Sequence, residues 1–189
     1  GMEFIQSLPL GDPETGALNA WMGGIGVEYY YQINKEGKRF MAEDGRRDAM
    51  TASLLAQTDS MSYVITDTNI EGEDGINIWG DDIEKLVADG TVFRADTIED
   101  LATQIGVDPA VLQKTHDDFN SYVAAGTDAE FGRNLFGDPI DTAPFYASPR
   151  MPTVHHTMGG LDINLQCQVL DKDGNVIPGL YAAGEVTGG

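Results

Sequence analysis

The chain has 189 residues, 41% of them hydrophobic, and carries 11 Lys+Arg against 31 Asp+Glu for a net charge of −20. That length suffices for one domain with a sizeable core, or for one domain and part of another, and the apolar content leaves no case for disorder. So acidic a surface repels a phosphate backbone, which excludes nucleic acid as a partner. No run approaches the about 18 apolar residues of a membrane span, and residues 1–30 lack the basic start and apolar core of a signal peptide. A soluble chain, not inserted in a membrane, is expected, with the compartment left open.

The elements alternate in type and do not repeat. Val27 to Asn34 reads as a strand, Asn34-Lys35-Glu36-Gly37-Lys38 as a turn and Arg39-Phe40-Met41 as the returning strand of a hairpin. A helix follows from Asp48 to Gln57, with Met50 and Leu54 one turn apart. Ser62 to Thr66 is a short strand. Asp82 to Ala88 is a short helix with Ile83, Leu86 and Val87 on one face and Gly90 beyond its end. Asp96 is placed as the cap of the next helix, with Glu99 in capping-box spacing and Ile98, Leu101, Ala102 and Ile105 as its apolar stripe. Asp108-Pro109 opens the longest helix, because a proline at the first helical position forfeits no hydrogen bond. Its stripe is Leu112, Thr115, Phe119 and Tyr122-Val123, which leaves His116 beside it as a surface residue. Thr127 to Pro149, with prolines at 139, 144 and 149, reads as a long connection.

The remainder is β-rich. Leu161 to Asn164 and Gln168 to Leu170 are strand-like, Asp171 to Asn175 is a turn, and Ile177 to Ala183 is a strand running into glycines. The single cysteine, Cys167, excludes an internal disulfide and any multi-cysteine metal site, and no metal is expected. Alternation with polar neighbours assigns Cys167 to the apolar side of a strand. The boundary between a compact α+β domain and this β-rich segment falls near residues 140–150. Residues Met2 to Gln6 would join the latter if the domain is an insertion between them.

Three groups of residues carry chemistry. Glu43-Asp44-Gly45-Arg46-Arg47-Asp48 puts two guanidinium groups among carboxylates at a helix start, where unpaired N–H groups already favour anions. The alternative is a solvated charge run. His155-His156, if in a strand, point to opposite faces, so at most one enters a given site. Gly159, Gly160 and Gly184 allow close backbone approach to a flat ligand, and Glu185 can accept hydrogen bonds from a sugar hydroxyl, unless these are simply turn and packing glycines. No GxGxxG opens a βα unit anywhere in the chain.

Several segments, in order along the chain, together resemble the flavoprotein subunits of the fumarate reductase and succinate dehydrogenase family. They are Met2-Glu3-Phe4-Ile5-Gln6, Asn34 to Met41, Arg47-Asp48, Pro144-Phe145-Tyr146-Ala147, His155-His156-Thr157-Met158-Gly159-Gly160 and Ile177 to Gly189. The resemblance is strongest to the soluble, single-chain fumarate reductase-like enzymes, including urocanate reductase and 3-ketosteroid dehydrogenases. It implies an α+β substrate-capping domain at residues 9–145, preceded by a lead-in from the FAD-binding domain at 1–8 and followed by a partial return into that domain at 146–189. It further implies a piece of a longer flavoprotein that neither retains FAD nor turns over alone. Gly1 ahead of Met2 and the blunt Gly188-Gly189 end fit that expectation.

By the same resemblance, Arg47 is the proton donor to one substrate carbon while flavin N5 delivers hydride to its neighbour. His155, with Thr157 beside it, binds substrate, and Gly159, Gly160, Gly184 and Glu185 face FAD. The implied function is an FAD-dependent oxidoreductase that reduces an activated C=C bond. Its partners are a small unsaturated substrate and, in the whole protein, an electron-donor protein or haem domain. Two departures bear on the substrate. Fumarate reductases carry a histidine where this chain has Leu8, and a Thr-Glu with a nearby Arg in the span where it has Met22, Gly23 and Gly26. The expected substrate is therefore more apolar than fumarate. A 3-ketosteroid-type dehydrogenase working in reverse and a non-catalytic ligand-binding module are the alternatives.

Overall fold

The computed structural model describes residues 4–19, 21–22, 26–70, 75–77 and 79–188, so Met2, Glu3, Gly23 and Gly189 lie outside the described residues. The fold is α+β and divides into two compact units, one of residues 8–153 and one of residues 1–7 with 154–189.

The larger unit is built on a sheet. β1 (Ile5–Gly11), β5 (Phe145–Thr157), β3 (Ser62–Thr66) and β2 (Tyr31–Asn34) lie in the order β1-β5-β3-β2, and β4 (Phe93–Ala95) pairs with β5 as well. The registers of β2 on β3, of β3 on β5 and of β4 on β5 are antiparallel, with Tyr31 opposite Ile65 and Val64 opposite Ser148. Among the described residues the sheet is accompanied by the α-helices α1 (Arg47–Leu55), α2 (Ile83–Ala88), α3 (Ile98–Ile105) and α4 (Pro109–Ala125). The main core joins Tyr31, Ile33 and Ile65 from the sheet with Leu101 and Ala102 of α3 and Leu112 and Phe119 of α4.

Local signals explain the helix ends. The Asp108 side chain accepts from the N–H groups of Ala110 and Val111, Pro109 occupies the first turn, and Gly106 and Gly126 close α3 and α4 in left-handed conformations. The cap of α3 is Thr97, whose side chain accepts from the Asp100 N–H, so the start lies one residue beyond the expected Asp96. Asp82, expected as the first residue of α2, is its N-cap, with its side chain accepting from Lys85 N–H.

Elsewhere tertiary partners override local pattern. Val27 to Tyr29 is a 3-10 turn, and β2 begins only at Tyr31. The Asn34–Lys38 turn forms, with Asn34 N–H donating to Lys38 O at 2.9 Å, yet Arg39-Phe40-Met41 does not return as a strand and β2 pairs with β3 instead. The reason lies in Arg39, whose side chain is drawn inward to Glu43 at 2.7 Å and to Asp128 at 2.9 Å. The expected connection up to Pro149 is also shorter, because β5 starts at Phe145 and accommodates both Pro149 and Pro152.

His116 is buried rather than at the surface. Its Nδ1 lies 3.0 Å from the Tyr31 hydroxyl and its Nε2 3.2 Å from Asn120 Nδ2, while Phe145 meets the ring edge-on. Burial holds the imidazole below its ordinary pKa and therefore neutral, against the pull of Asp117, Asp141 and Glu99. An off-stripe position is interior here because Tyr31 and Phe145 arrive from other segments and Asn120, one turn on in the same helix, completes the enclosure.

The smaller unit contains the end of β5 and the antiparallel pair β6 (Gln168–Leu170) and β7 (Val176–Tyr181), with every residue of β7 exposed. Phe4 joins it through its carbonyl, which accepts from Met158 N–H at 2.8 Å. Cys167 is exposed with φ of 59°, in contrast to its expected packing role. It stands in the tight turn that precedes β6, where its N–H donates to Asn164 O at 2.9 Å, so strand alternation does not apply to it.

Candidate functional site

In the smaller unit the strand end 155–160 and the glycine-rich segment 184–188 come together. A Cβ placed on Gly160 would lie 2.3 Å from both Gly188 N and Val186 O, so no side chain fits between these two backbones. Leu161 N–H donates to Val186 O at 2.9 Å, and Gly188 takes φ of 66° with its own Cβ direction facing Gly159 and Gly160. Gly184 has φ of 78° and starts a 3-10 turn through Thr187, whose hydroxyl donates back to Gly184 O at 2.7 Å. Gly160→Ala is therefore expected to loosen the tail. In NMR spectra of the chain the amide signals of residues 184–188 should shift or broaden, while those of α3 and α4 stay in place.

These segments enclose an open cavity of about 630 Å³, lined by His156, Thr157, Gly159, Gly160, Leu161, Glu185 and Val186. His156 Nδ1 lies 3.1 Å from Glu185 Oε1 and 3.1 Å from Thr157 O, two acceptors that call for a proton on that nitrogen. The Thr157 hydroxyl donates to Gly159 O at 3.1 Å. His155 faces elsewhere, with Nδ1 2.6 Å from Gln6 Oε1 and its ring edge-on to His156 at 5.1 Å between centroids. The two rings thus have different partners, as strand geometry requires, and His156 is the one that lines the cavity. Strand alternation allows only one of the two into a given site, and no spacing signal says which.

The donor set suits one wall of a flat, partly polar ring system. Bare glycine backbone permits close contact, Leu161 and Val186 supply apolar surface, and the Glu185 carboxylate, 73% exposed, can accept from hydroxyl groups. Gly159, Gly160, Gly184 and Glu185 all belong to this one neighbourhood. No phosphate-binding helix N-terminus of the GxGxxG kind accompanies them.

Arg47 stands in the other unit as the first residue of α1, on its surface. Its neighbour Arg46 is the N-cap and forms a two-point pair with Asp48, at 3.1 Å and 2.6 Å, that draws the Asp48 carboxyl below its ordinary pKa. The turn leading to α1 is held on both sides. Asp44 Oδ2 accepts from the N–H groups of Asn134 at 2.7 Å and Leu135 at 3.1 Å, and Glu43 is buried between Arg39 and Arg133.

Two fully buried arginines had no signal in the sequence. Arg133 lies with its guanidinium 5.0 Å from the Phe119 ring centre and 5.4 Å from that of Phe136. Arg150, inside β5, stacks over Trp21 at 4.9 Å, and burial lowers its pKa to about 9. Nearby Tyr30 is pushed up to about 12 by burial and by Glu43. Among the described residues no group of three or more His, Cys, Asp or Glu is arranged to hold a metal ion. No described helix is long and apolar enough to cross a membrane.

The profile of the family described as FAD binding domain matches residues 1–189. The chain is 46% identical to an NADH:acrylate oxidoreductase of Vibrio harveyi over 191 residues, covering 100% of this chain and 18% of that protein. It is 38% identical to a urocanate reductase of Eggerthella lenta, covering 99% of this chain and 31% of that protein. Its fold is similar to the open conformation of a flavocytochrome c3 fumarate reductase, with a TM-score of 0.73 and 33% identity over 100% of this chain and 32% of the other. The chain spans less than a third of the length of each of these relatives. It belongs to the FAD binding domain family, among the fumarate reductase-like flavoproteins.

Proposed function

We propose that the whole protein is an FAD-dependent oxidoreductase that reduces the C=C bond of an α,β-unsaturated monocarboxylate, and that the larger unit is its substrate-capping domain. The observation that carries this reading is the combination of Arg47 at the start of α1 with a buried apolar residue, Leu8, where fumarate reductases carry a histidine. Met22, also fully buried, and Gly26 stand in the span of the missing Thr-Glu and Arg. A second substrate carboxylate brought to such positions would lose its hydration without gaining ion pairs, which is costly. Acrylate, the substrate named for the Vibrio harveyi relative, has one carboxylate conjugated to its C=C bond, and this chain has the same economy of polar clamps.

In this reading Gly159, Gly160, Gly184 and Glu185 would hold FAD, with His156 fixing the Glu185 carboxylate. FAD, when bound, supplies the hydride. His155 and Thr157 orient the substrate, and the Arg47 guanidinium gives an N–H proton to the substrate carbon next to the one that receives hydride. An arginine gives up a proton only if charge-crowded surroundings and rapid reprotonation allow it, so its standing role is to hold the substrate anion.

The test is a reduced-dye assay of the full-length protein with acrylate, urocanate and fumarate. Acrylate should turn over about tenfold faster than fumarate or more, a difference well within what one mismatched charged group produces. Equal or faster turnover of fumarate overturns the monocarboxylate assignment. Oxidation of a 3-ketosteroid by oxidised dye, with no reduction of any unsaturated acid, overturns the direction as well. The absence of either reaction in flavin-loaded protein leaves a binding module.

A further inference from the structure

Arg133 is buried and engages all three of its guanidinium nitrogens, with partners from three separate segments. Its Nε donates to Leu135 O at 2.8 Å and its Nη1 to Tyr30 O at 2.8 Å and Glu43 Oε2 at 3.1 Å, while Nη2 donates to Val27 O. The 133–137 segment also packs closely on the 27–30 turn. Gly137 N–H donates to Glu28 O at 3.2 Å, and a Cβ on Gly137 would come within 2.9 Å of the Tyr29 ring. On its other side the same segment receives Asp44, whose carboxylate accepts from the Asn134 and Leu135 N–H groups. Glu43 is shared with Arg39 and accepts from Gln32 N–H at 3.0 Å, which anchors it to β2.

Two of these segments flank residues that matter in the proposed reaction. The 27–30 turn directly follows the span in which fumarate reductases carry substrate-binding groups. The 43–45 turn directly precedes Arg46 and Arg47 at the start of α1. A guanidinium is a rigid planar fork, so donors pointing at carbonyls of one turn and at a carboxylate of the other set the spacing between the two. The fork is buried between the Phe119 and Phe136 rings, a low-dielectric setting that strengthens its hydrogen bonds.

We infer that Arg133 is a positioning residue, which fixes Arg47 relative to the 27–30 turn by holding that turn directly and the turn before α1 through Glu43. The inference rests on the reading of Arg47 as proton donor. Arg133 itself touches neither substrate nor cofactor in this account.

The experiment uses the full-length, flavin-loaded protein and compares Arg133→Lys, Arg47→Lys and the double variant, with turnover expressed per bound flavin. Lysine keeps the buried charge but cannot span the acceptors of Val27, Tyr30 and Glu43 together. Arg133→Lys should lower kcat by about 10- to 100-fold with KM changed less than about twofold, since misplacing a reacting group by an ångström costs that much. Flavin content and the rate of flavin reduction by the donor should be unchanged. Because Arg133 acts through Arg47, the double variant should be no slower than Arg47→Lys alone. Unchanged kcat in Arg133→Lys, or losses that multiply in the double variant, overturns the inference while the Arg47 reading stands. Unchanged kcat in Arg47→Lys overturns that reading and the inference with it. If Arg133→Lys does not accumulate as folded protein, Asp44→Ala decides: it unties the same turn from Asn134 and Leu135 at a half-buried position. A fall in kcat per flavin supports the inference and an unchanged value overturns it.

Discussion

Replacing Arg47 by lysine in the full-length protein is expected to lower turnover by about 10²- to 10⁴-fold, the range of a lost general acid, while flavin content stays intact. Lysine retains a positive charge, so a purely electrostatic role for Arg47 would survive the change. What lysine lacks is the planar fork that grips a carboxylate at two points while presenting a further N–H to the neighbouring carbon. Arg47 starts α1 and lies on the surface of its unit, so the substitution leaves the core of that unit in place. Flavin reduction by the donor should proceed normally, and only reoxidation by the unsaturated acid should slow. Single-turnover reoxidation of the reduced flavoprotein by acrylate separates these steps, and an unaltered reoxidation rate removes Arg47 from the mechanism.

The second large effect is on stability. Glu43→Gln should destabilise the chain by about 3–5 kcal/mol, the cost of breaking a buried ion pair by removing one partner. Arg39, Glu43, Asp128 and Arg133 form a balanced cluster of two cations and two anions, with side-chain exposures of 1% or less. The Arg39 guanidinium also lies 5.4 Å from the Phe119 ring centre and 5.2 Å from that of Phe131, so little solvent remains to compensate an unbalanced charge. Glutamine is nearly isosteric and can still accept from Gln32 N–H, but its amide NH2 then faces the Arg39 and Arg133 N–H groups that now donate to Glu43 Oε2, so the loss combines the charge with those two hydrogen bonds. Urea unfolding followed by a probe in the larger unit, such as Trp21 fluorescence, measures the effect. A change under about 1 kcal/mol would mean that the pair is no stronger than one at the surface.

The same cluster gives the chain an acid limit. Burial raises the Asp128 pKa, but the hydrogen bond from Arg39, the N–H groups of Phe131 and Glu130 and the Arg39 charge together more than offset this and hold the carboxyl below its ordinary value. A carboxyl depressed on folding contributes stability above its unfolded pKa and loses it as pH falls through the folded one. Neutral, buried His116 acts in the same direction, because protonation on the way down favours the unfolded chain.

Much of the local structure is legible from residues within four positions of one another. The Asp108-Pro109 start and the glycine ends of α3 and α4 follow from hydrogen bonds that close inside a single turn. The glycine-ended tail is legible for a related reason. Gly160 and Gly188 are needed by backbones that touch and Gly184 by its positive φ, and a residue type without a side chain states that need by itself. The glycine-ended tail also carried part of the resemblance to flavoproteins, beside Met2 to Gln6, Asn34 to Met41, Arg47-Asp48 and Pro144 to Ala147.

The interior polar groups were not legible. His116 was misassigned because its Tyr31 partner lies 85 residues away, and Arg39 left its expected strand for Asp128, 89 residues away. Arg133 finds Glu43 and Val27 across 90 and 106 residues. Cys167 shows the converse, an apolar pattern overridden by a positive φ in a tight turn. By itself, then, the sequence determined the helices, the Asp108 cap and glycine ends of the last two, the close approach of the tail glycines and membership in a flavin-binding family. The tertiary structure decided which charges are buried, which histidine faces the cavity and what holds the turn before Arg47. Burying a charge is favourable only when an opposite charge arrives with it, and that partner is chosen by the fold rather than by its neighbours in the chain.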